Sequence, residues 1–291
     1  MAAGEYRLVA DHGLIVSDDT DVTPPKVSVL MFAYNLAPFV RQAVESVIEQ
    51  RATFSYEILI GDDCSTDGTR EILIAYQRSH PERIRLILPE HRLGRGGVPL
   101  FAEVFRQARG EFLAYCDCDD YWLSPAKLAR QVSFLEAHPE CAICFHDCVV
   151  VGGDGLRDPI NYTPTHIGRF STIEDLWIQN FIASCSAVLR HAALPDLPSW
   201  YRQVRWGDWA RYLLAARHGS IGYLPEEMGA YRSRPDGEWS GLTRVQQLES
   251  CIEFVRDMNA RLENKFSRDA SRTIARLQVE LSDALWSESS S

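Results

Sequence analysis

The chain has 291 residues, 46% of them hydrophobic and 10% aromatic, enough to fill the core of one large α/β domain or two smaller ones. Its formal net charge of −10, with lysine only at Lys26, Lys127 and Lys265, argues against a general nucleic-acid or anionic-membrane surface, so any anion must be held locally. No run reaches the roughly 18 to 20 consecutive apolar residues of a membrane span, and the start, MAAGEYRLVADHGL, lacks a basic segment followed by an apolar one; the expectation is a cytoplasmic protein without a transmembrane segment, free or peripheral to the inner membrane.

Residues 1–25 read as an acidic extension with a short strand at GLIV, ending in the stiff TPPK. VSVLMFA (27–33) has the length and β-branched content of a buried strand, and APFVRQAVESVIEQ follows with Val40, Val44, Val47 and Ile48 at helical spacing. YEILIGDDCS (56–65) predicts a second strand ending in acids, then a helix from Asp67 or Gly68 with Ile72, Ala75 and Tyr76 on one face. RIRLILP (83–89) predicts a third strand. The Gly-rich HRLGRGG leads from it into the helix PLFAEVFRQA, with Pro99 in the first turn and Gly110 just past the end. EFLAYC reads as the fourth strand and SPAKLARQVSFLEAHP as the helix after it, with Ser124 as N-cap, Pro125 at the first helical position, and Leu128, Val132 and Leu135 facing inward. This alternation implies an α/β fold with a mostly parallel sheet covered on both faces.

Cys141, Cys144 and Cys148 in CAICFHDC have the spacing of metal ligands, yet the segment alternates like a strand and no second CxxC or HxxxH completes four ligands. Buried free thiols are expected, here and at the other five cysteines. From residue 151 the rhythm breaks. VVVGGDGLRDPINYTPTHIGR reads as loop, and the stretch to 240 carries five of the seven tryptophans in shorter, mixed elements. Residues 242–287 return to long helical patterning, with Val245, Leu248, Ile252, Val255, Ile274, Leu277 and Leu281 at spacings of three to four: a helix pair packed on the body, or the contact of a homodimer or acceptor. The divisions are therefore 1–25, 26–150, 151–241 and 242–291.

The chemistry concentrates in two acid clusters at strand ends, GDDCS and FLAYCDCDDYW (112–122). In open parallel sheets, ligands bind outside the carboxyl ends of the strands. With residues 117–119 extended, Asp117 and Asp119 point the same way. Two such charges about 4 Å apart repel by roughly 4 kcal/mol at an effective dielectric near 20, so a cation or a shared proton is expected. Oxygen ligands in this number suit Mg²⁺ or Mn²⁺ with a nucleoside diphosphate completing the shell. Thiolate chemistry at Cys116 and Cys118 is the rival reading, but C-x-C supplies two soft ligands among hard oxygen donors.

VSVLMFAYN, EILIGDDCSTDGT, CDCDDYWLSPAKLARQVSFLE and WGDWARYLLAARHGSIGYLPEEMGAYRSRPDGEWSG resemble, in that order, the motifs of bacterial family 2 glycosyltransferases of the GT-A fold, across residues 26–241. The resemblance implies a Rossmann-like sheet flanked by helices, and inverting transfer of a sugar from a nucleotide-diphosphate donor, usually uridine-linked, with Mn²⁺ or Mg²⁺ on the diphosphate. It implies that Asp63 reads the nucleobase, with Ala33 and Tyr34 near the nucleoside. Asp117 and Asp119 match the acidic pair, Asp119 foremost as metal ligand. Where many relatives read EGDDYW this chain reads DCDDYW, which places Cys118 at a sugar contact. Asp208 in WGDW matches the catalytic base. Arg232 and Trp239 match the end of the site, on its diphosphate or acceptor side. Many relatives carry YRxHxxGxWS there, and Arg234 stands at the histidine: either the cation has one fewer protein ligand, or Arg234 neutralises the departing diphosphate. Arg95, in the Gly-rich GRGG, is a further phosphate contact. The acceptor is a surface glycan, a peptide or a small molecule. A non-catalytic nucleotide-sugar-binding module is the reading from another class.

Overall fold

The computed structural model describes the backbone of residues 6–9, 14–17 and 24–289, and the side chains of 24–289 apart from Arg95, Ile160 and Asn161. Strands β1 (Tyr6–Val9) and β2 (Leu14–Ser17) form an antiparallel pair, and β2 also pairs with β5 (Ile84–Leu88). The N-terminal extension thus lengthens the sheet at one edge. Strands β3 (Val27–Ala33), β4 (Tyr56–Asp62), β5 and β6 (Phe112–Tyr115) are parallel neighbours in the order β5-β4-β3-β6. Their apolar runs follow from burial on both faces.

The connecting helices are α1 (Val40–Ile48), α2 (Thr69–Ser79) and α3 (Val98–Arg106); the short strand β7 (Tyr121–Trp122) and helix α4 (Lys127–Ala137) follow β6. Helices α1 and α4 set Val40, Val44, Val47, Leu128, Val132 and Leu135 on one face of the sheet. α3 lies on the other face with Leu100, Phe101 and Val104.

The sheet does not stop at residue 150. β8 (Cys141–Val151) turns through Gly152–Gly155 into β9 (Arg157–Asn161), its antiparallel partner, so part of the expected loop is a hairpin. After β10 (Phe170–Ser171), α5 (Ile173–Ile178), β11 (Val188–Arg190) and α6 (Gly207–Ala215), the long β12 (Ser220–Arg232) runs parallel to β8. The two halves share one mostly parallel sheet, joined where β11 pairs with both β6 and β8. Helices α7 (Arg244–Arg261) and α8 (Ser267–Ser289) form the expected pair, and Phe254, Val255 and Met258 of α7 pack into the same core as α6. Among the described residues no helix is long and apolar enough to cross a membrane.

Two local expectations fail for identifiable reasons. Ser124 does not cap α4, which starts at Lys127 after Ala126. Its carbonyl accepts the Gln50 side-chain amide at 2.8 Å, while the Pro125 carbonyl accepts the Arg51 N–H at 2.7 Å, so SPA is a turn tied to the end of α1. Gly110 does not terminate α3, which ends at Arg106. It lies against β3, where a Cβ would come within 2.4 Å of the Ser28 nitrogen, so close approach is what requires glycine there.

Candidate active site

In the order β5-β4-β3-β6 the chain reverses direction of travel across the sheet between β3 and β6, and the crevice at the carboxyl ends of these strands is where such a sheet binds ligands. The loops above β3 and β4 are sewn together. The Asn35 N–H donates to the Ser65 hydroxyl at 2.9 Å, the Thr66 N–H to the Asn35 side chain at 2.9 Å, and the Ala37 N–H to Asp67 at 3.0 Å. Hydrogen bonding by its own side chain suits Asn35 to its φ of 52°.

Asp63 is 4% exposed and both carboxylate oxygens are engaged, Oδ1 by the Leu93 N–H at 2.6 Å and Oδ2 by the Gly94 N–H at 2.9 Å. It therefore fixes the start of the Gly-rich loop. Tyr34 lies beside it on the opening, 3.8 Å beneath the Arg92 guanidinium, and Ala33 is buried at the strand end. Arg95 sits on the short turn Arg95–Gly97; its side chain lies outside the described residues. A Cβ at Gly96 would stand 3.8 Å from the Glu238 carboxyl carbon, so this loop meets the segment after β12.

Beyond β6 the chain stays paired with β3 through Cys118, whose N–H donates to the Phe32 carbonyl at 3.0 Å, and then folds back as the Asp120 N–H reaches the Asp117 carbonyl at 3.0 Å. Residues 117–120 form a turn, where an extended 117–119 was expected. Cys118 is fully buried in the apolar layer with Cys116, so its side chain does not reach the surface of the crevice: continued pairing with β3 directs it into the core. Burial drives both thiols well above their ordinary range, so they are poor ligands and poor nucleophiles.

The carboxylates of this turn are short of donors. Asp117 accepts the Ser184 hydroxyl at 2.7 Å, and its acidity is weakened to about 6, first by burial and then by the charge of Asp119. Asp119 is also raised by burial, against the pull of Arg234. Buried Asp120 goes well above its usual range and accepts the Arg232 N–H at 2.7 Å.

Two arginines at the end of β12 grip this turn differently. Arg232 is 6% exposed and spans three acceptors: Nε donates to the Asp119 carbonyl at 2.8 Å, one terminal nitrogen to Gly152 O at 3.3 Å and the other to Gln42 Oε1 at 3.0 Å. It is a pin for the turn, and each terminal nitrogen keeps one further N–H. Arg234 donates from Nε to Asp119 Oδ2 and from Nη1 to Asp236, each at 3.1 Å. Trp239 packs edge-on to Trp206, with ring centroids 5.2 Å apart, just before α6.

Asp208 stands inside the first turn of α6, where the helix dipole favours a carboxylate; the capping position belongs to Trp206. Its Oδ2 accepts the Asn180 amide at 3.0 Å. One short segment ties it to the acidic turn, since Asn180 holds Asp208 and Ser184, four residues on, holds Asp117. Asn180, Ser184 and Asp120 were not singled out from the sequence: the first two lie in an aperiodic segment, and Asp120 declares itself only through Arg232, 112 positions away.

The acidic pair fits a hard divalent cation. Each carboxylate has one oxygen engaged by a side-chain donor, Ser184 or Arg234, and the charge of Asp119 raises Asp117, a repulsion that a cation relieves.

An uncharacterised protein of Mycobacterium tuberculosis is 36% identical over 214 residues, 73% of this chain and 60% of that protein, so the chain spans well under two thirds of that relative's length. The Escherichia coli UDP-Glc:alpha-D-GlcNAc-diphosphoundecaprenol beta-1,3-glucosyltransferase WfaP is 32% identical over 110 residues, 38% of this chain and 41% of WfaP. S. aureus TarS 1–349, crystallised with UDP-GlcNAc, superposes with a TM-score of 0.64 over 87% of this chain and 71% of that one at 19% identity, which shows a shared fold. Residues 28–197 match the sequence profile of Glycosyl transferase family 2, and the chain belongs to that family.

Proposed function

We propose that the protein transfers a sugar from a uridine-diphosphate donor to an acceptor hydroxyl with inversion at the anomeric carbon, in the assembly of a surface glycan. The carrying observation is that residues 180–184 link the two acidic centres: Asn180 donates to Asp208 and Ser184 to Asp117 in the turn after β6. The donors named for TarS and WfaP, UDP-GlcNAc and UDP-Glc, support a uridine nucleotide, and the lipid-linked acceptor in WfaP's name supports the glycan context.

In this reading Asp63 and the loop it fixes take the nucleoside, with Tyr34 at the opening. Asp117 and Asp119 would hold Mn²⁺ or Mg²⁺, which supplies charge for the diphosphate as it leaves. Asp208 accepts the proton of the acceptor hydroxyl as its oxygen bonds to the anomeric carbon and the bond to the nucleoside diphosphate breaks. Asn180 holds the Asp208 carboxylate by its amide, leaving its other oxygen for the acceptor. No covalent intermediate is needed, because the base and the leaving group act on opposite faces of the sugar.

A panel of nucleotide sugars, assayed for nucleotide release with Mn²⁺ or Mg²⁺ and a glycolipid extract, tests this. Asp208→Asn is expected to lower turnover by about 10²–10⁴-fold, the range of a positioned acid–base group. A change below about threefold, or tight UDP-sugar binding with no transfer by the wild type, refutes the assignment.

A further inference from the structure

The segment that joins the two acidic centres, residues 180–186, is polar where it meets the carboxylates and apolar in between. Asn180 and Ser184 are half-buried, whereas Phe181, Ile182, Ala183 and Cys185 are each at most 2% exposed. Phe181 and Ile182 belong to the core layer of α3, and Ala183 and Cys185 to that of α1 and α4, so the chain crosses from one layer to the other and is packed in both. Close packing of this kind fixes a backbone that has no long regular element, because a shift in either direction opens a void or makes a clash.

Hydrogen bonds complete the hold. Trp122, just after the acidic turn, donates its indole N–H to the Cys185 carbonyl at 2.9 Å. Gln131 on α4 donates to the Ser186 carbonyl at 2.8 Å and to the Cys144 carbonyl on β8 at 2.9 Å. The turn is thus tied to the segment on both sides, at Asp117 by the Ser184 hydroxyl and at Trp122 by its ring. At the other end, Asn180 Oδ1 accepts the Ile182 N–H at 3.3 Å, which leaves Nδ2 to face Asp208. A chain of fixed contacts therefore runs from the turn assigned to the donor to the first turn of α6.

Displacement at the anomeric carbon requires base, acceptor oxygen and donor in one geometry, and a misplacement of about 1 Å can cost about 10²-fold. The donor is placed by the turn after β6 and the base by α6, so something must set their separation. We propose that residues 180–186 are a brace that does so, with Asn180 and Ser184 as positioning residues that favour the acceptor hydroxyl over water. The inference rests on Asp208 as the base, and both residues act through the carboxylates they hold. A water molecule can follow a displaced carboxylate, but a hydroxyl held by the rest of its glycan cannot. Loosening the brace therefore costs transfer more than it costs hydrolysis of the donor.

The test is a double-mutant cycle of Asn180→Ala and Ser184→Ala. It reads UDP release from UDP-glucose and UDP-N-acetylglucosamine with a glycolipid extract and with water alone, and UDP affinity by calorimetry. Asn180→Ala should lower kcat for transfer about 30-fold and hydrolysis by less than about threefold, with UDP affinity within about threefold of the wild type. Ser184→Ala should lower transfer about tenfold. The double variant should lose at most about threefold more than Asn180→Ala, where independent effects would multiply to about 300-fold. Asn180→Ser separates positioning from mere support of the loop, since a serine hydroxyl can still take the Ile182 N–H but is too short to reach Asp208. It should fall as far as Asn180→Ala, and it replaces that variant in the cycle where near-UV circular dichroism shows Asn180→Ala unfolded. Transfer and hydrolysis falling together, costs that multiply, or a wild-type rate in Asn180→Ser would overturn the brace while leaving Asp208 as the base. A wild type without turnover, or an Asp208→Asn variant with full turnover, overturns both.

Discussion

Two acid clusters flank β3, one at the end of β4 and one after β6, and they are built on opposite principles. Asp62 and Asp63 are buried and anchored by the protein: Asp62 Oδ2 takes Arg70 Nε at 2.6 Å and the Ser65 N–H at 3.2 Å while its Oδ1 has no partner, and Asp63 takes two backbone N–H groups, one on each oxygen. Asp117 and Asp119 have one side-chain donor each and both are raised, Asp117 by burial and then by the charge of Asp119, Asp119 by burial. The same residue type is thus used as a clasp on one side of β3 and as charge held in reserve on the other.

The largest expected effect separates the two roles. Asp119→Asn should lower donor turnover by about 10²–10³-fold, the loss seen when one charge-stabilising group leaves a transition state. Its unfolding free energy, read by urea titration, should hold or rise, because a carboxylate strained by burial is gone. Asp62→Ala should do the reverse. Removing one partner of a buried ion pair costs about 3 kcal/mol, tempered here by the 27% exposure of Arg70. Turnover per folded molecule should change by less than tenfold. If both variants behave alike in either measurement, the division into clasp and reserve is wrong.

How much of this division is readable in the sequence depends on range. The apolar runs of β3, β4, β5 and β6 and the helical spacing of Val40, Val44 and Val47 are local signals, and the structure places all of them as the periodicity requires. The acid clusters are visible as well, since both end such strands. What is not readable is who satisfies them. Arg232 belongs on the diphosphate or acceptor side by motif, and nothing in the motif shows that three of its donors reach Asp119, Gly152 and Gln42, a set assembled from three parts of the chain. Cys118 looks like part of the site until its N–H is seen to pair with Phe32. Residues 151–205 lack periodicity because their elements are short, and Asn180 and Ser184 lie among them without a local mark.

A smaller effect, about 2 kcal/mol, should appear in the pH dependence of stability. The folded protein holds a proton on Asp117 up to about pH 6, against an ordinary aspartate value of 3.8. Between those values the folded state binds more protons than the unfolded one, so stability falls as pH rises from about 4 to about 6 and is flat above. Asp117→Asn removes that decline. In EDTA, the variant should match the wild type near pH 4 and exceed it by about 2 kcal/mol at pH 8. A gain of similar size at both pH values would mean that the charge on Asp117 is not what costs stability.

The smallest effect tests the clasp from inside. Asp63→Asn keeps shape and one acceptor oxygen, but sets an amide N–H against one of the two backbone N–H groups of Leu93 and Gly94. The net loss of one charge-assisted hydrogen bond in a partly solvated loop is about 1 kcal/mol, which corresponds to about fivefold faster amide hydrogen exchange at Leu93 and Gly94. If Asp63 serves only the loop, UDP affinity should fall by no more than that factor, since the ligand loses only the preorganisation of residues 93–97. If it also reads the base, its carboxylate must exchange a backbone partner for the nucleobase on binding. UDP affinity should then fall well beyond the change in exchange, and bound UDP should leave Leu93 or Gly94 exchanging faster than in the free protein.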